Sequence, residues 1–288
     1  MFYLAHISDI HLTPMPKIAW RELLNKRITG YINLNLNRKL CFNRNFLDRV
    51  VISLLQQKPD HLVISGDIVN LGTFEEFING KIWLENLSKK IPLSISLGNH
   101  DAYVKGSLKQ ACNIFANWLK SDVDFEQDSY FPNVKIQNGV AIINVCTAIA
   151  TLPFFATGYF SKKQAKNLEK ILYICGQQNL FRIINIHHPP MKRATNWHKK
   201  LWGIRNFKNA IKSAGAELIL HGHTHKESLE YMLNIPVIGV GSASKPCTYN
   251  ANYNIFGIEK ADNRWHCILT RYGANSKGDI IKKSNITL

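Results

Sequence analysis

Long apolar runs are missing from this chain of 288 residues. The most apolar stretch, Val140 to Ala156, is broken by Asn144, Thr147, Thr151 and Pro153, short of the ~18 residues that a membrane-spanning helix needs. A basic leader is missing too. Met1 to Asp9 runs straight into polar residues, so no signal peptide is expected. Paired cysteines are missing: Cys41, Cys112, Cys146, Cys175, Cys247 and Cys267 are widely spaced, with no C-x-x-C. Without a leader, the expectation is reduced thiols in the cytoplasm, most of them packing residues. Charged residues are only 19% of the chain and hydrophobic ones 45%, which excludes general disorder. Repeats, low-complexity tracts and linkers are absent as well. The length is ample for a sizeable core, and one domain over 1–288 is the expectation.

Acid is the scarce charge. There are 20 Asp+Glu against 36 Lys+Arg, a formal net charge of +16. The excess is not spread evenly. Segment 14–49 holds eight basic residues (Lys17, Arg21, Lys26, Arg27, Arg38, Lys39, Arg44, Arg49) and two acids (Glu22, Asp48), and segment 192–208 holds six basic residues and no acid. A compositional bias toward Lys would distribute the charge instead of concentrating it.

Short apolar runs alternate with longer amphipathic ones. Strands are expected at Phe2–Ile7, His61–Ile64, Leu93–Leu97, Val140–Val145, Phe181–Ile186, Glu217–Leu220, Pro236–Gly239, Asn254–Ile258 and Trp265–Arg271. Helices are expected at Asn43–Gln57, Thr73–Lys89, Gly106–Lys120, Ser161–Cys175 and Arg205–Ala214. The early alternation is that of parallel βαβ units, and the strand-rich end makes the architecture mixed.

Eight of the eleven histidines fall in four groups: His6-Ile-Ser-Asp9-Ile-His11, Gly98-Asn99-His100-Asp101, His187-His188-Pro189-Pro190 and His221-Gly222-His223-Thr224-His225. A fifth group, Ser65-Gly66-Asp67, has no histidine. Each follows an expected strand at its C-terminal end, where open α/β sheets bind ligands. Asp, Asn and neutral imidazole suit divalent Mn, Fe or Zn. Asp9 and His11 are two apart, as are His223 and His225, so each pair points to one side of an extended segment. The candidate ligands exceed one tetrahedral site, and two metals sharing a carboxylate suit in-line displacement at phosphorus.

D-x-H, G-D, G-N-H-D, a His after a strand and G-H-x-H, in this order from residue 9 to 225, resemble the calcineurin-like metallophosphoesterases. The resemblance implies a four-layer α/β/β/α sandwich with mixed sheets and a dinuclear site. By that resemblance Asp9, His11, Asp67 and His225 hold one ion, and Asp67, Asn99, His187 and His223 hold the other. It also gives His100 the transition state or the leaving oxygen, with Asp101 orienting it, and a metal-bridging hydroxide as nucleophile. Only one of His187 and His188 should face the metals, and family position points to His187. His6 reads as a core residue and His221 as a packing residue. His61, His198 and His266 carry no ligand signal.

The two basic segments bear on substrate. Residues 14–42 form an insertion between D-x-H and G-D, with Trp20, Leu23, Leu24, Ile28 and Tyr31 at roughly helical spacing. Two readings stay open: a packed helix with a solvated basic face, or a membrane-surface element or lid over an apolar substrate. In segment 192–208, Lys192, Arg193, Trp197 and Trp202 are candidate substrate contacts, by ionic grip on phosphate and by stacking.

The resulting expectation is a dinuclear metal-dependent phosphoric ester hydrolase, more specifically a phosphodiesterase, acting on an anionic phosphorylated substrate. The wording I-S-D-x-H, H-H-P-P and G-H-T-H resembles the bacterial cyclic-nucleotide phosphodiesterases. The basic insertion resembles the lipid A precursor pyrophosphohydrolases, with peripheral association at the inner, anionic membrane face as its corollary. A nuclease is the alternative enzyme, although no nucleic-acid recognition module is visible. A non-catalytic metal-binding scaffold is the alternative outside catalysis, and every ligand position being filled argues against it.

Overall fold

The computed structural model describes residues 1–34, 36, 41–123 and 129–288. In chain order the strands are β1 (Phe2–Ile7), β2 (His61–Ser65), β3 (Leu93–Ser96), β4 (Asn133–Gln137), β5 (Val140–Asn144), β6 (Gly158–Tyr159) and β7 (Phe181–Asn185). They continue with β8 (Leu201–Trp202), β9 (Leu218–His221), β10 (Ser228–Met232), β11 (Ile235–Gly239), β12 (Tyr253–Ala261), β13 (Arg264–Ala274) and β14 (Ile280–Thr287). The helices are α1 (Arg27–Asn33), α2 (Arg44–Gln56), α3 (Phe74–Ser88), α4 (Ser107–Ile114), α5 (Lys162–Gln177) and α6 (Ile204–Ala214).

Two six-stranded mixed sheets run β14-β13-β12-β1-β2-β3 and β10-β11-β9-β7-β5-β4. β1, β2 and β3 are parallel, as are β5, β7, β9 and β11. Period-two alternation sends one face of each central strand inward and the other outward. Phe2 and Leu4 of β1 meet Val140, Ile142 and Ile183 between the sheets. Ala5 and Ile7 of β1 face outward onto Phe46, Leu47 and Val50 of α2 and Phe77 of α3. On the other outer face, Ile143 and Ile184 pack under Leu168 and Ile171 of α5 and Phe207 of α6. Three apolar layers between four structural ones make the α/β/β/α sandwich, and strands buried on both faces explain their continuous apolar runs.

Helix starts follow from capping residues. Asn43 accepts from the Phe46 amide, Thr73 and Glu76 form a reciprocal capping box, and Ser161 accepts from the Gln164 amide. The expected helix Gly106–Lys120 ends early: α4 stops at Ile114, and a short 3-10 turn follows at Ala116–Trp118. No helix among the described residues is long and apolar enough to cross a membrane.

The insertion is not a helix packed through its apolar face. A 3-10 turn spans Trp20–Leu23 and α1 begins only at Arg27. Its apolar residues Trp20, Leu24, Ile28, Tyr31 and Ile32 are exposed, while Arg27 is turned inward. The Arg27 guanidinium donates to the carbonyls of Leu71 (3.0 Å) and Gly72 (2.6 Å) and to Ser107 Oγ (3.3 Å). Lys26 also points inward, donating to Thr151 Oγ1 (2.6 Å) and the Phe155 carbonyl (3.1 Å). Lys26 and Arg27 thus satisfy loop carbonyls while the apolar residues of the element stay outside.

Candidate metal centre

The loops after β1, β2, β3, β7 and β9 open into one crevice. A chain of buried amides and hydroxyls beneath it couples the two sheets. His6 Nε2 pairs with Ser65 Oγ (2.7 Å), Ser65 Oγ donates to Asn185 Oδ1 (2.7 Å), and Asn185 Nδ2 donates to Asn144 Oδ1 (2.8 Å). Fully partnered buried polar groups of this kind fix register between layers.

Above that floor lie two carboxylates, each with one oxygen held by a backbone amide and the other turned to imidazoles. Asp9 Oδ2 accepts from the His223 amide (3.0 Å), and Asp9 Oδ1 lies 3.1 Å from His225 Nε2. Asp67 Oδ1 accepts from the His100 amide (2.8 Å), and Asp67 Oδ2 lies 3.4 Å from His187 Nε2 and 3.8 Å from His11 Nε2. His11 Nε2 and His225 Nε2 are 3.4 Å apart, and Asn99 Oδ1 lies 3.2 Å from His187 Nε2. All seven expected ligands are thus brought together. Among the described residues, four overlapping trios of Asp and His can each converge on one ion: Asp9-His11-His225, His11-Asp67-His100, Asp9-Asp67-His187 and His187-His188-His223.

The backbone is bent to achieve this. Asp9 (φ 53°), His11 (φ 43°), Asp67 (φ 54°), His223 (φ 67°) and His225 (φ 55°) all occupy the left-handed region. Such residues cost on the order of 1–3 kcal/mol each when strained and gather at functional sites. Gly98 is required for a related reason, since a Cβ there would overlap Asp67 Oδ1 and the Asp67 amide nitrogen.

Asp101 does something other than orient His100. Its Oδ2 accepts from the amides of Gly98 (2.8 Å) and Asp67 (2.9 Å), and its Oδ1 from those of Ile68 (3.0 Å) and Val69 (3.2 Å). It therefore shapes the turn that carries Asp67. The His100 ring is held instead by a short bond from Nδ1 to the Asn70 carbonyl. The rings of the histidine pair also differ. His187 Nδ1 donates to the Ser65 carbonyl (2.6 Å), leaving Nε2 toward Asp67. His188 uses both nitrogens on protein, Nδ1 with Thr147 Oγ1 (2.8 Å) and Nε2 with the Ala156 carbonyl (3.2 Å). His223 Nε2 donates to the Lys199 carbonyl (3.0 Å). His6 is buried in the polar chain described above, and His221 bonds the Gly222 carbonyl (3.0 Å) and Ser228 Oγ (3.3 Å).

Electrostatically the crevice favours cations. Burial works against ionising Asp67, yet His187 and then His100 hold its carboxyl well below the usual range. Burial likewise opposes a charged His187, but Asp67 overcomes it and pushes that imidazole up to about 9. Burial, then His187, takes His188 down to about 3. The carboxylates that would retain a proton on His187 would equally retain a metal ion. The donor set of two carboxylates, an amide oxygen and imidazoles, with His187 oriented by a carbonyl, fits a pair of borderline divalent cations.

The basic segments sit at the rim. Lys192, Arg193, Trp197 and Trp202 are all exposed, and among the described residues none hydrogen-bonds a candidate ligand. Trp197 packs edge-on against Phe155 at 5.2 Å, and Lys200 Nζ sits 3.6 Å over the Trp202 ring. The segment reaches the centre through the Lys199 backbone carbonyl. That contact, the Ser65 and Asn70 carbonyls and the left-handed ligands have no signal in residue identity. Phe42, whose ring packs at a tilt of 32° against His11 with centroids 4.3 Å apart, had none either.

Comparison with known proteins agrees with this geometry. The calcineurin-like phosphoesterase family pattern matches residues 2–227. A glycerophosphodiester phosphodiesterase, GpdQ, from Enterobacter lignolyticus (strain SCF1) is 34% identical over 231 residues, covering 77% of this chain and 70% of that protein. The fold resembles a dimetal phosphatase from Danio rerio (TM-score 0.64, 11% identity, 99% of this chain and 98% of that one). It also resembles purple acid phosphatase PPD1 from yellow lupin (TM-score 0.61, 10% identity, 99% of this chain and 53% of that one). The chain belongs to the calcineurin-like phosphoesterase family and is a metal-dependent phosphoester hydrolase.

Proposed function

We propose that the protein is a phosphodiesterase whose two ions share Asp67. In this reading Asp9, His11, Asp67 and His225 hold one ion, and Asp67, Asn99, His187 and His223 hold the other. The observation that carries it is Asp67, with one oxygen fixed by the His100 amide and the other between His187 and His11. His187 is preferred to His188 as ligand because both His188 nitrogens are engaged by protein. Two divalent cations, Mn, Fe or Zn, supply Lewis acidity toward the phosphoryl oxygens and toward water.

The chain's own residues do the rest. Asp101 holds the 67–69 amides and so places the Asp67 carboxylate. The Asn70 carbonyl accepts a hydrogen bond from His100 Nδ1–H, so proton exchange with the departing ester oxygen falls to Nε2. Residues 1–288 act as one catalytic domain with 14–42 as an insertion. The six cysteines are free thiols, which supports a reducing, cytoplasmic setting. A diester substrate agrees with the relative named for phosphodiester hydrolysis.

The test is hydrolysis of bis(p-nitrophenyl) phosphate and p-nitrophenyl phosphate by protein reconstituted with Mn, Fe or Zn. The diester should be preferred, and Asp67→Asn and His100→Ala should each lose on the order of a hundredfold or more in kcat. Full activity in both variants refutes the assignment.

A further inference from the structure

A cavity of about 520 Å³ opens beside Asn99 and His100. One lip is the insertion, through Ile32 and Leu36, and the other is the 152–156 loop, through Phe154 and Phe155. The volume is in the ordinary range of small-molecule sites. The lips are unusual. Leu36 is 77%, Phe154 84% and Ile32 50% exposed, and the adjoining Leu152 is 74% exposed. Single exposed apolar residues need no explanation, but a set around one mouth does.

We propose that this cavity receives an apolar alkyl or acyl chain of the phosphoester substrate, making the preferred substrate an amphiphile whose phosphate lies on the metal centre. This rests on the phosphodiesterase reading above. Three features support it. The cavity is preformed, because Lys26 reaches across it to Thr151 Oγ1 and the Phe155 carbonyl. Trp197 braces Phe155 from outside at 5.2 Å. Gly30 lets α1 approach closely enough that a Cβ would overlap the Tyr103 hydroxyl and Leu71.

The polar groups along the wall are already engaged, which disfavours a nucleobase. The Lys26 ammonium serves Thr151 and Phe155 and lies 4.8 Å over the Tyr103 ring. The Thr29 hydroxyl donates to the Lys26 carbonyl at 2.8 Å. What the cavity offers a ligand beyond the phosphate is mostly hydrocarbon and aromatic surface. The same arrangement accounts for the outward apolar face of the insertion here: Lys26 fastens the two lips, and Ile32 and Leu36 form one of them.

The experiment compares methyl, hexyl and adenosine-5′ p-nitrophenyl phosphodiesters as substrates of the Mn-reconstituted protein, and methylphosphonate with hexylphosphonate as calorimetric ligands. Each buried methylene is worth roughly fourfold in affinity. With part of the chain buried, the hexyl compounds should exceed the methyl ones by at least about tenfold in kcat/KM and in affinity. In Ile32→Ser/Phe154→Ser, at two exposed positions, both ratios should fall below about threefold. A circular dichroism melt confirms that the variant folds. Equal values for methyl and hexyl compounds, a ratio that survives the double substitution, or preference for the adenosine diester overturns the proposal. If no ester is hydrolysed but hexylphosphonate still binds preferentially through Ile32 and Phe154, the cavity assignment stands and the phosphodiesterase reading fails. If the methyl ester is hydrolysed without any chain preference, the reverse holds.

Discussion

Asp101 offers the sharpest perturbation. It is fully buried and accepts four backbone N–H bonds, two on each oxygen, from Gly98, Asp67, Ile68 and Val69. Asp101→Asn keeps the shape but replaces one oxygen with an NH2 group. Whichever way the amide turns, two backbone donors then face a donor. A buried donor left without an acceptor costs roughly 1–3 kcal/mol, so the pair costs about 2–6 kcal/mol. That is a large share of the ~5–15 kcal/mol that holds a typical fold. For a chain of this size it lowers Tm by at least about 3 °C. The assay is thermal unfolding in excess chelator, which removes any contribution from bound ions. If Asp101 merely oriented His100, activity would fall and the chelated protein would melt at the wild-type temperature. A Tm within 1 °C of wild type would therefore refute the role of Asp101 as organiser of the Asp67 turn.

Other perturbations test neighbouring parts of the account. Arg27→Ala removes three hydrogen bonds from a buried guanidinium and should release the insertion, seen as at least about tenfold faster proteolytic cleavage within residues 20–33; an unchanged cleavage rate contradicts its role as fastener. Gly98→Ala should abolish metal-dependent turnover, because its Cβ would occupy the position of Asp67 Oδ1; retention of more than about a tenth of wild-type kcat would show that the turn can yield. Burial pushes the thiols of Cys112 and Cys267 up to about 12 and that of Cys175 up to about 11. Iodoacetamide at pH 8 should leave these three unmodified in the native protein, by peptide mass mapping, and their rapid alkylation would contradict the packing.

Much of the frame was legible because strands buried on both faces leave unbroken apolar runs. Phe2–Ile7, Val140–Asn144 and Phe181–Asn185 were expected within a residue of where they lie. β4, β10 and β14 were not, since they lie at sheet edges with half-exposed, partly polar sequences such as Ile280–Thr287. The ligand cluster was legible because every group followed a strand end. The work of Asp101 was not, because backbone amides are the same at every residue. Nor was the inversion of the insertion: the spacing of Trp20, Leu24 and Ile28 shows an amphipathic face, but not which side the protein covers.

The central claim is a two-ion site that shares Asp67, and counting ions tests it most directly. Chelated protein titrated with Mn under calorimetry and checked by elemental analysis should bind two ions per chain, and Asp67→Asn should bind at most one and lose turnover of bis(p-nitrophenyl) phosphate. One ion in the wild-type protein, or two ions with full turnover in Asp67→Asn, would contradict it.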